Sequence, residues 1–314
     1  MLKSVFMCLR WIFWVLVGFV LRTALGAGAV EAFRIASYNL EGYLDVPTQT
    51  RPAKADDSKA KVRESIVALR PDVIALQEVG TVSALLELRD SLKRDGLDLS
   101  YWEYVSGHDT NIHVAVLSRF PFTASHPHTN DNFLLNGRRF HVSRGFAEVD
   151  IQVNPNYSFT LLTAHLKSQR VIAAADESEL RLEEAKLLRE KIDARLASNP
   201  DANLIILGDF NDAKDAPSTK ILIGRGRHKL MDTRPAERNG DAAYIPPHAG
   251  QPRDVTWTHY YAKEDAYSRI DYILLSPGMT REWDKSETYV LTVPNWGLAS
   301  DHRPIVATFI AVDK

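Results

Sequence analysis

The stretch NLIILGDFND, residues 203–212, decides how this chain folds and where its chemistry lies. Its short apolar run, bounded by Asn203 and Gly208, reads as a strand. The run leads straight into Asp209 and Asn211, a carboxylate and a carboxamide two residues apart. Open α/β architectures keep their ligand sites at such strand ends. Asp accepts hydrogen bonds and the Asn amide donates them, so together they can grip a phosphate or a metal-bound water. The plain alternative is a Gly-Asp turn with an Asx cap, the commoner fate of an isolated segment of this kind.

Runs of the same type recur outward from it, at 33–40 (FRIASYNL), 72–79 (DVIALQEV), 113–118 (HVAVLS), 145–151 (GFAEVDI), 158–166 (SFTLLTAHL), 269–276 (RIDYILLS) and 304–311 (PIVATFIA). All read as strands. Helix-like stretches cover 58–69, 82–93 and 177–196, the last with Leu180, Ala185, Leu188, Ile192 and Leu196 on one face. Strands and helices alternate early and mix later, which implies an α/β or α+β layered fold. No low-complexity tract, repeat or linker-like shift interrupts 33–311, so residues 30–314 read as one domain.

Composition narrows the function. The chain has 314 residues, 45% of them apolar and 25% charged, which excludes disorder and collagen-like structure. Its one cysteine, Cys8, lies in an apolar leader, so thiolate metal sites and cysteine nucleophiles are excluded from the body. In that leader Lys3 and Arg10 precede the apolar run 11–21, then Arg22 and the small residues of LGAGA (25–29). This is the order of a signal peptide, with cleavage expected after Ala27 or Ala29. Eleven helical residues cover roughly 16 Å, about half of a ~30 Å hydrocarbon core, and an uncleaved N-terminal anchor is the alternative. Either reading exports the domain, to the periplasm or beyond. Without the three basic residues of the leader, 35 basic face 40 acidic residues, a net charge of −5 that promises no general attraction to nucleic acid or anionic lipid.

Other strand ends carry polar residues as well. Glu78 follows VIALQ and Asn39 follows RIASY. His165 lies among alternating apolar neighbours in TLLTAHLKS, and Asp301-His302 precedes the last strand. A histidine acts as a base near neutral pH when a carboxylate fixes its tautomer, and Asp271 of RIDY is the candidate partner for His302. Asp301, pointing elsewhere on an extended backbone, is free to approach a cation. Taken singly, each of these has a structural explanation as a rim acid, a turn asparagine or a hydrogen-bonded core histidine.

Taken in order, Asn39 (SYNLEG), Glu78 (ALQEV), His165 (TAHL), Asp209 with Asn211 (GDFN), Asp271 (RIDY) and Asp301 with His302 (SDH) resemble the endonuclease/exonuclease/phosphatase superfamily, the deoxyribonuclease-like fold, in a secreted bacterial-type member. The resemblance spans 33–311. It implies a four-layer sandwich of two packed mixed β-sheets flanked by helices. It also implies that Glu78 holds Mg²⁺, with Asn39 nearby and Asp301 on the metal side; Mn²⁺ or Ca²⁺ suits the same oxygen ligands. By the same resemblance Asp209 and Asn211 orient the attacking water and hold the phosphate. His302 is the general base oriented by Asp271, and His165 contacts the phosphate or assists the leaving oxygen. Arg144, opening the strand after it, reaches a phosphate oxygen. His113 stands where relatives commonly carry glycine, which implies a local change in cleft shape, and Trp257 is expected in the core or the cleft wall.

The implied reaction is hydrolysis of a phosphate ester by an activated water without a covalent intermediate. Superfamily members cleave DNA, RNA, sphingomyelin and phosphoinositides. Export and the basic loops at Arg138-Arg139 and GRGRHK (224–229) favour a nuclease, expected as a monomer. The alternatives are a sphingomyelinase-like phospholipid phosphodiesterase or an inositol phosphate phosphatase, with membrane contact through the leader or through Trp257, Tyr260, Tyr261 and Phe133-Leu134-Leu135. The third reading is a non-enzymatic interaction domain on the same scaffold.

Overall fold

A computed structural model describes residues 31–238 and 254–313. The leader, 1–29, lies outside the described residues. One sheet has seven strands in the spatial order Ala236–Glu237, Trp283–Val290, Ile305–Ile310, Ala32–Tyr43, Val73–Val79, His113–Ser118 and Tyr101–Val105. The other has six, in the order Met231–Asp232, Asp271–Leu275, Leu204–Asp209, Tyr157–His165, Phe146–Asn154 and Phe122–Ser125. Both are mixed. Ala32–Tyr43 runs parallel to Val73–Val79 and antiparallel to Ile305–Ile310, and Leu204–Asp209 runs parallel to Tyr157–His165 and antiparallel to Asp271–Leu275.

Side-chain alternation along these strands builds the layers. Ile35, Val73, Val116, Leu161, Ile205, Leu207 and Ile273 face inward and form the core between the sheets. The intervening Ile74, Leu76 and Leu117 pack outward against the helices Asp56–Leu69 and Val82–Arg94. Leu162, Leu204, Ile206 and Leu274 do the same against Glu177–Ser198, whose Ala185, Leu188, Ile192 and Leu196 form the expected face. Helix, sheet, sheet and helix make four layers, as the resemblance implied. Strands covered on both sides carry unbroken apolar runs, which is why they were readable in the sequence. Edge and polar strands such as Trp283–Val290 (WDKSETYV) lack that signal.

At one end of the sandwich the inner faces change character. Ser37, Gln77 and Thr163 continue the inward rows, and the Gln77 amide bridges the sheets, bonding Ser37 Oγ at 3.3 Å and donating to Thr163 Oγ1 at 3.4 Å. Two residues further along their strands the rows reach Asn39 and His165. Asp209 is in register with both His165 and Asp271, so three of the candidate side chains line up across adjacent strands. The inward period of two that buries Ile205 and Leu207 thus delivers Asp209 to the open end of the same interface.

Truncating the inter-sheet core should show its weight. Leu207→Ala is expected to lower the unfolding free energy by about 3 kcal/mol, the usual cost of a buried Leu→Ala cavity. Urea denaturation followed by circular dichroism measures it, and a loss below about 1 kcal/mol would contradict the packing described.

Candidate active site

The GDFN turn starts from a glycine requirement. Gly208 has φ +134°, and a Cβ there would lie 2.0 Å from the Ala164 carbonyl oxygen. Only glycine lets the two parallel strands approach this closely beside the site. Asn211 then adopts a left-handed backbone, φ 54°, and its N–H donates to Asp209 Oδ1 at 2.8 Å. The Asx-capped reading of this turn is therefore realised, and it still leaves one carboxylate oxygen of Asp209 for the cleft. One oxygen of Asp209 caps the turn, and the other, Oδ2, faces the cleft, accepting from Asn39 Nδ2 at 2.9 Å with His165 Nε2 at 3.4 Å and His302 Nε2 at 3.7 Å.

His302 is held from behind by Asp271, whose Oδ2 lies 2.9 Å from the ring Nδ1. That contact leaves Nε2 directed at Asp209 and at Asp301 Oδ1, 3.8 Å away. Ser300 ties this loop to the other sheet, accepting from His302 N at 3.0 Å and donating to the Asn39 carbonyl at 2.8 Å. Burial pushes the Asp209 carboxyl well above the usual range, against the pull of His302 and with the neighbouring Asp271 adding to the rise. Burial alone would discharge His302, but the carboxylates of Asp271 and then Asp209 outweigh it and hold the ring above the ordinary histidine range. His165 behaves oppositely: burial, reinforced by the Arg144 charge, keeps it far below that range and neutral. Two histidines at one carboxylate thus differ in charge because only one of them has a second acid behind it.

Glu78 reaches the cleft by a break in the strand. Its φ is 60°, and the pairing register shifts between Asn39 and Tyr43 on one side and between Leu76 and Val79 on the other. Such a bulge turns a side chain that alternation would send toward the helices. Glu78, Glu41, Asp301 and Asn39 line an open cleft of about 540 Å³ together with Asp209 and His302. Two cations from the segment before the first helix lie over these acids. Arg51 Nη1 is ion-paired with Glu78 Oε2, and Lys54 Nζ donates to the Glu41 carbonyl at 3.3 Å. Burial opposes the Arg51 charge, but Glu78, Asp301 and Glu41 strengthen it. Oxygen donors that draw in a guanidinium fit a hard divalent cation. Asn39 Oδ1 already accepts from Glu41 N at 3.0 Å, which leaves it one further lone pair.

Arg144 is placed differently from the expectation. It is 7% exposed, donates from Nη1 to the Leu166 carbonyl at 3.1 Å, lies 3.6 Å from Asp109, and is not among the side chains lining the cleft. Asn211 Nδ2 donates to the same carbonyl at 3.0 Å, so Arg144 meets the site through Leu166 rather than at its surface. His113 faces a separate groove with Tyr104 and Asp45 rather than this cleft. Trp257 is half-buried and is not among the side chains lining the cleft: the Arg303 guanidinium stacks 3.2 Å above its ring, and Trp296 and Tyr267 pack at 5.5 and 4.9 Å.

Several groups escaped sequence reasoning. Glu41 stands within SYNLEG and needed only the same attention as Asn39. His259, 3.7 Å from Asp301 through Nε2, lies in a polar stretch with no periodic signal. Arg181 and Glu184 belong to the helix Glu177–Ser198 and look like surface charges in a helical pattern, yet they hold three site loops. Glu184 accepts from Ser143 N at 2.9 Å and Lys167 N at 2.6 Å, while Arg181 binds Asp212 at 3.0 Å and the Lys167 carbonyl at 2.9 Å.

Residues 36–302 match the model of the Endonuclease/Exonuclease/phosphatase family. No curated protein matches the chain. Among solved structures, truncated Caenorhabditis elegans TDP2 superposes with a TM-score of 0.60 at 18% identity, over 89% of this chain and 98% of that one. The human Nocturnin catalytic domain with bound sulfate gives 0.60 at 15% identity, over 90% and 95%. A Bacteroides thetaiotaomicron endonuclease/exonuclease/phosphatase family protein gives 0.57 at 17%, over 90% and 96%. At these identities the likeness is one of fold.

The charge assignment can be tested directly. In the metal-free protein the His302 ring should titrate above 6.5, the ordinary histidine value, and Asp271→Asn should bring that titration down, because a neutral amide no longer favours the imidazolium. Imidazole NMR across pH reads both. An identical titration in the variant would remove Asp271 as the cause.

Proposed function

The chain belongs to the endonuclease/exonuclease/phosphatase family, whose members are hydrolases of phosphate ester bonds, and on that premise we propose that it is an exported, Mg²⁺-dependent nuclease acting as a monomer. The observation that carries the hydrolytic reading is the Asp271–His302 pair aimed at Asp209 in an open cleft. In this reading the charge of a cation held at the neighbouring acids would oppose the imidazolium that the metal-free site favours, and His302 in its neutral form takes a proton from the attacking water at Nε2 while Asp271 holds its Nδ1–H. Asp209 orients that water. Asn211 offers a phosphate oxygen the amide N–H it does not give to Leu166, and His165 assists the leaving oxygen. Glu78, Glu41, Asp301 and Asn39 would hold the divalent cation. When bound there, Mg²⁺, or Mn²⁺ or Ca²⁺ in its place, supplies neutralisation of the charge developing on the phosphate.

Nucleic acid is favoured as substrate by the hairpin Asn132–Leu135 and Arg138–His141, which leads through Val142 into Ser143 and Arg144 beside the site. Its Asn136-Gly137 turn has φ 51° and 76°, the primed geometry of a two-residue hairpin, and presents Arg138 and Arg139 at the tip. A second hairpin, His259–Tyr261 with Ala266–Ser268, borders the cleft and exposes Tyr261 and Tyr267. Basic and aromatic side chains together are the usual means of holding a polynucleotide strand. Against a lipid substrate, Phe133 is buried against Phe140, and Leu134 is left as the exposed apolar residue of that hairpin. The loop 224–229 precedes Met231, which pairs with Leu275 at the far end of the strand that begins at Asp271, roughly 13 Å from the site by strand rise. It adds nothing to the cleft. The signal-peptide order of residues 1–29 supports export.

The test is hydrolysis of plasmid DNA, RNA, sphingomyelin vesicles and inositol phosphates in parallel, with Mg²⁺ or Mn²⁺ and an EDTA control. We expect metal-dependent cleavage of DNA or RNA alone, abolished by EDTA. Cleavage of sphingomyelin or of an inositol phosphate instead would overturn the nuclease reading. His302→Ala should lower the rate by a factor of about 10² to 10⁴ with the fold retained by circular dichroism, and an unchanged rate would remove it as the base.

A further inference from the structure

Beside the oxygen-rich acids, three side chains form a group of different chemistry. His259, Asp301 and His302 each offer one ligand atom, and these atoms lie within 4.8 Å of one another. Asp301 stands between the rings, with its Oδ2 3.7 Å from His259 Nε2 and its Oδ1 3.8 Å from His302 Nε2. We propose that these residues are a second metal site, which takes a borderline transition-metal dication such as Zn²⁺ and shares only Asp301 with the group of Glu41, Glu78 and Asn39.

The outer contacts of both rings carry the argument. His302 Nδ1 is engaged by Asp271 at 2.9 Å, and His259 Nδ1 by Ser268 Oγ at 3.2 Å. Metal-binding histidines are oriented in this way, one nitrogen fixed by a carboxylate or other acceptor and the other left to the ion. Here it happens twice, and both remaining nitrogens lie within 3.8 Å of Asp301, that of His302 with Asp209 at 3.7 Å on its other side. The backbone beneath is equally defined. His259 and His302 face each other in an antiparallel bridge, Tyr260 N donates to the Asp301 carbonyl at 2.9 Å, and Arg303 N donates to the Thr258 carbonyl at 2.6 Å. The rings are 4.6 Å apart and tilted by 41°.

Ion size and softness select the metal. Bonds of ~2.0–2.1 Å in a tetrahedral site put ligand atoms about 3.3 Å apart, and the three ligand atoms, within 4.8 Å of one another with a different Asp301 oxygen nearest each ring, close on an ion by side-chain shifts of about an ångström. Two imidazoles and a carboxylate suit Zn²⁺, whereas Mg²⁺ and Mn²⁺ favour sites made of oxygen. All three residues line the cleft, which leaves the remaining coordination positions open to it. An ion bound there uses the Nε2 lone pair of His302. It therefore opposes Mg²⁺-dependent hydrolysis, a consequence that, unlike the site itself, rests on the hydrolytic reading above.

The experiment is isothermal titration of the full chain with Zn²⁺ under saturating Mg²⁺, together with X-ray absorption at the zinc edge. We expect one tight Zn²⁺ per chain with two imidazole nitrogens in its shell. His259→Gln should weaken binding by at least about tenfold and leave one imidazole, and Ser268→Ala should weaken it by about tenfold through loss of the ring's outer contact. Equal affinity in wild type and His259→Gln, or a zinc shell without two imidazoles in the wild type, overturns the proposal. Should His259→Gln fail to fold by circular dichroism, the wild-type absorption spectrum decides alone. A chain that binds Zn²⁺ through two imidazoles yet cleaves no phosphodiester would defeat the hydrolytic reading and leave the metal site standing.

Discussion

Everything at the site depends on the interface between the two sheets and on what becomes of it at one end. Along most of its length it is apolar, filled by side chains at alternate positions of strands that are covered on both faces. At the end where Ser37, Gln77 and Thr163 replace the aliphatic residues, the same alternation begins to deliver polar groups into a space closed on two sides. Asn39 comes from one sheet, and Asp209, His165 and Asp271 come from the other, three of them in strict register. The site is positioned by the least deformable part of the molecule, since shifting any of these strands by one residue would expose its whole inward row.

Charge at that end is balanced in a graded way. Asp209 and Asp271 are buried carboxylates that tolerate each other because His302 lies between them and the cleft. His165, touching the same oxygen of Asp209 without an acid behind it, stays neutral. Further out, Glu41, Glu78 and Asp301 draw Arg51 and Lys54 toward them. The interior thus holds the Asp271-backed imidazole and the mouth holds acids that face Arg51 and Lys54, an order that fits the proposed activation of water at one end of a phosphate and neutralisation of charge at the other. The loops that carry these residues are anchored from behind by Arg181 and Glu184, whose helix gains its position from the aliphatic face Ala185, Leu188, Ile192 and Leu196.

How much of this was legible depended on burial. The strands Val73–Val79, Leu204–Asp209 and Asp271–Leu275 were readable because both faces are covered and their sequences are continuously apolar. Strand-end residues were readable as candidates through their joint order and the family resemblance it carries, since each alone has a structural explanation. Arg144 looked like a phosphate ligand because it opens a strand, yet a carbonyl at Leu166 and a carboxylate at Asp109 claim it inside the wall. Glu41 and His259 were overlooked because a turn and a polar hairpin have no period against which an unusual residue stands out.

By itself the sequence determined the alternation of apolar runs, the helices that cover them, and the polar residues at which the strands end. Those follow from local periodicity, because a side chain's face is set by its position along its own strand. Only the tertiary structure decided which other ends meet: that Asn39 reaches Asp209 across 170 residues, and that His259 comes to face Asp301. Such pairings arise from strand order and register between distant segments, and the interactions that select them act between faces that exist only once the two sheets have packed.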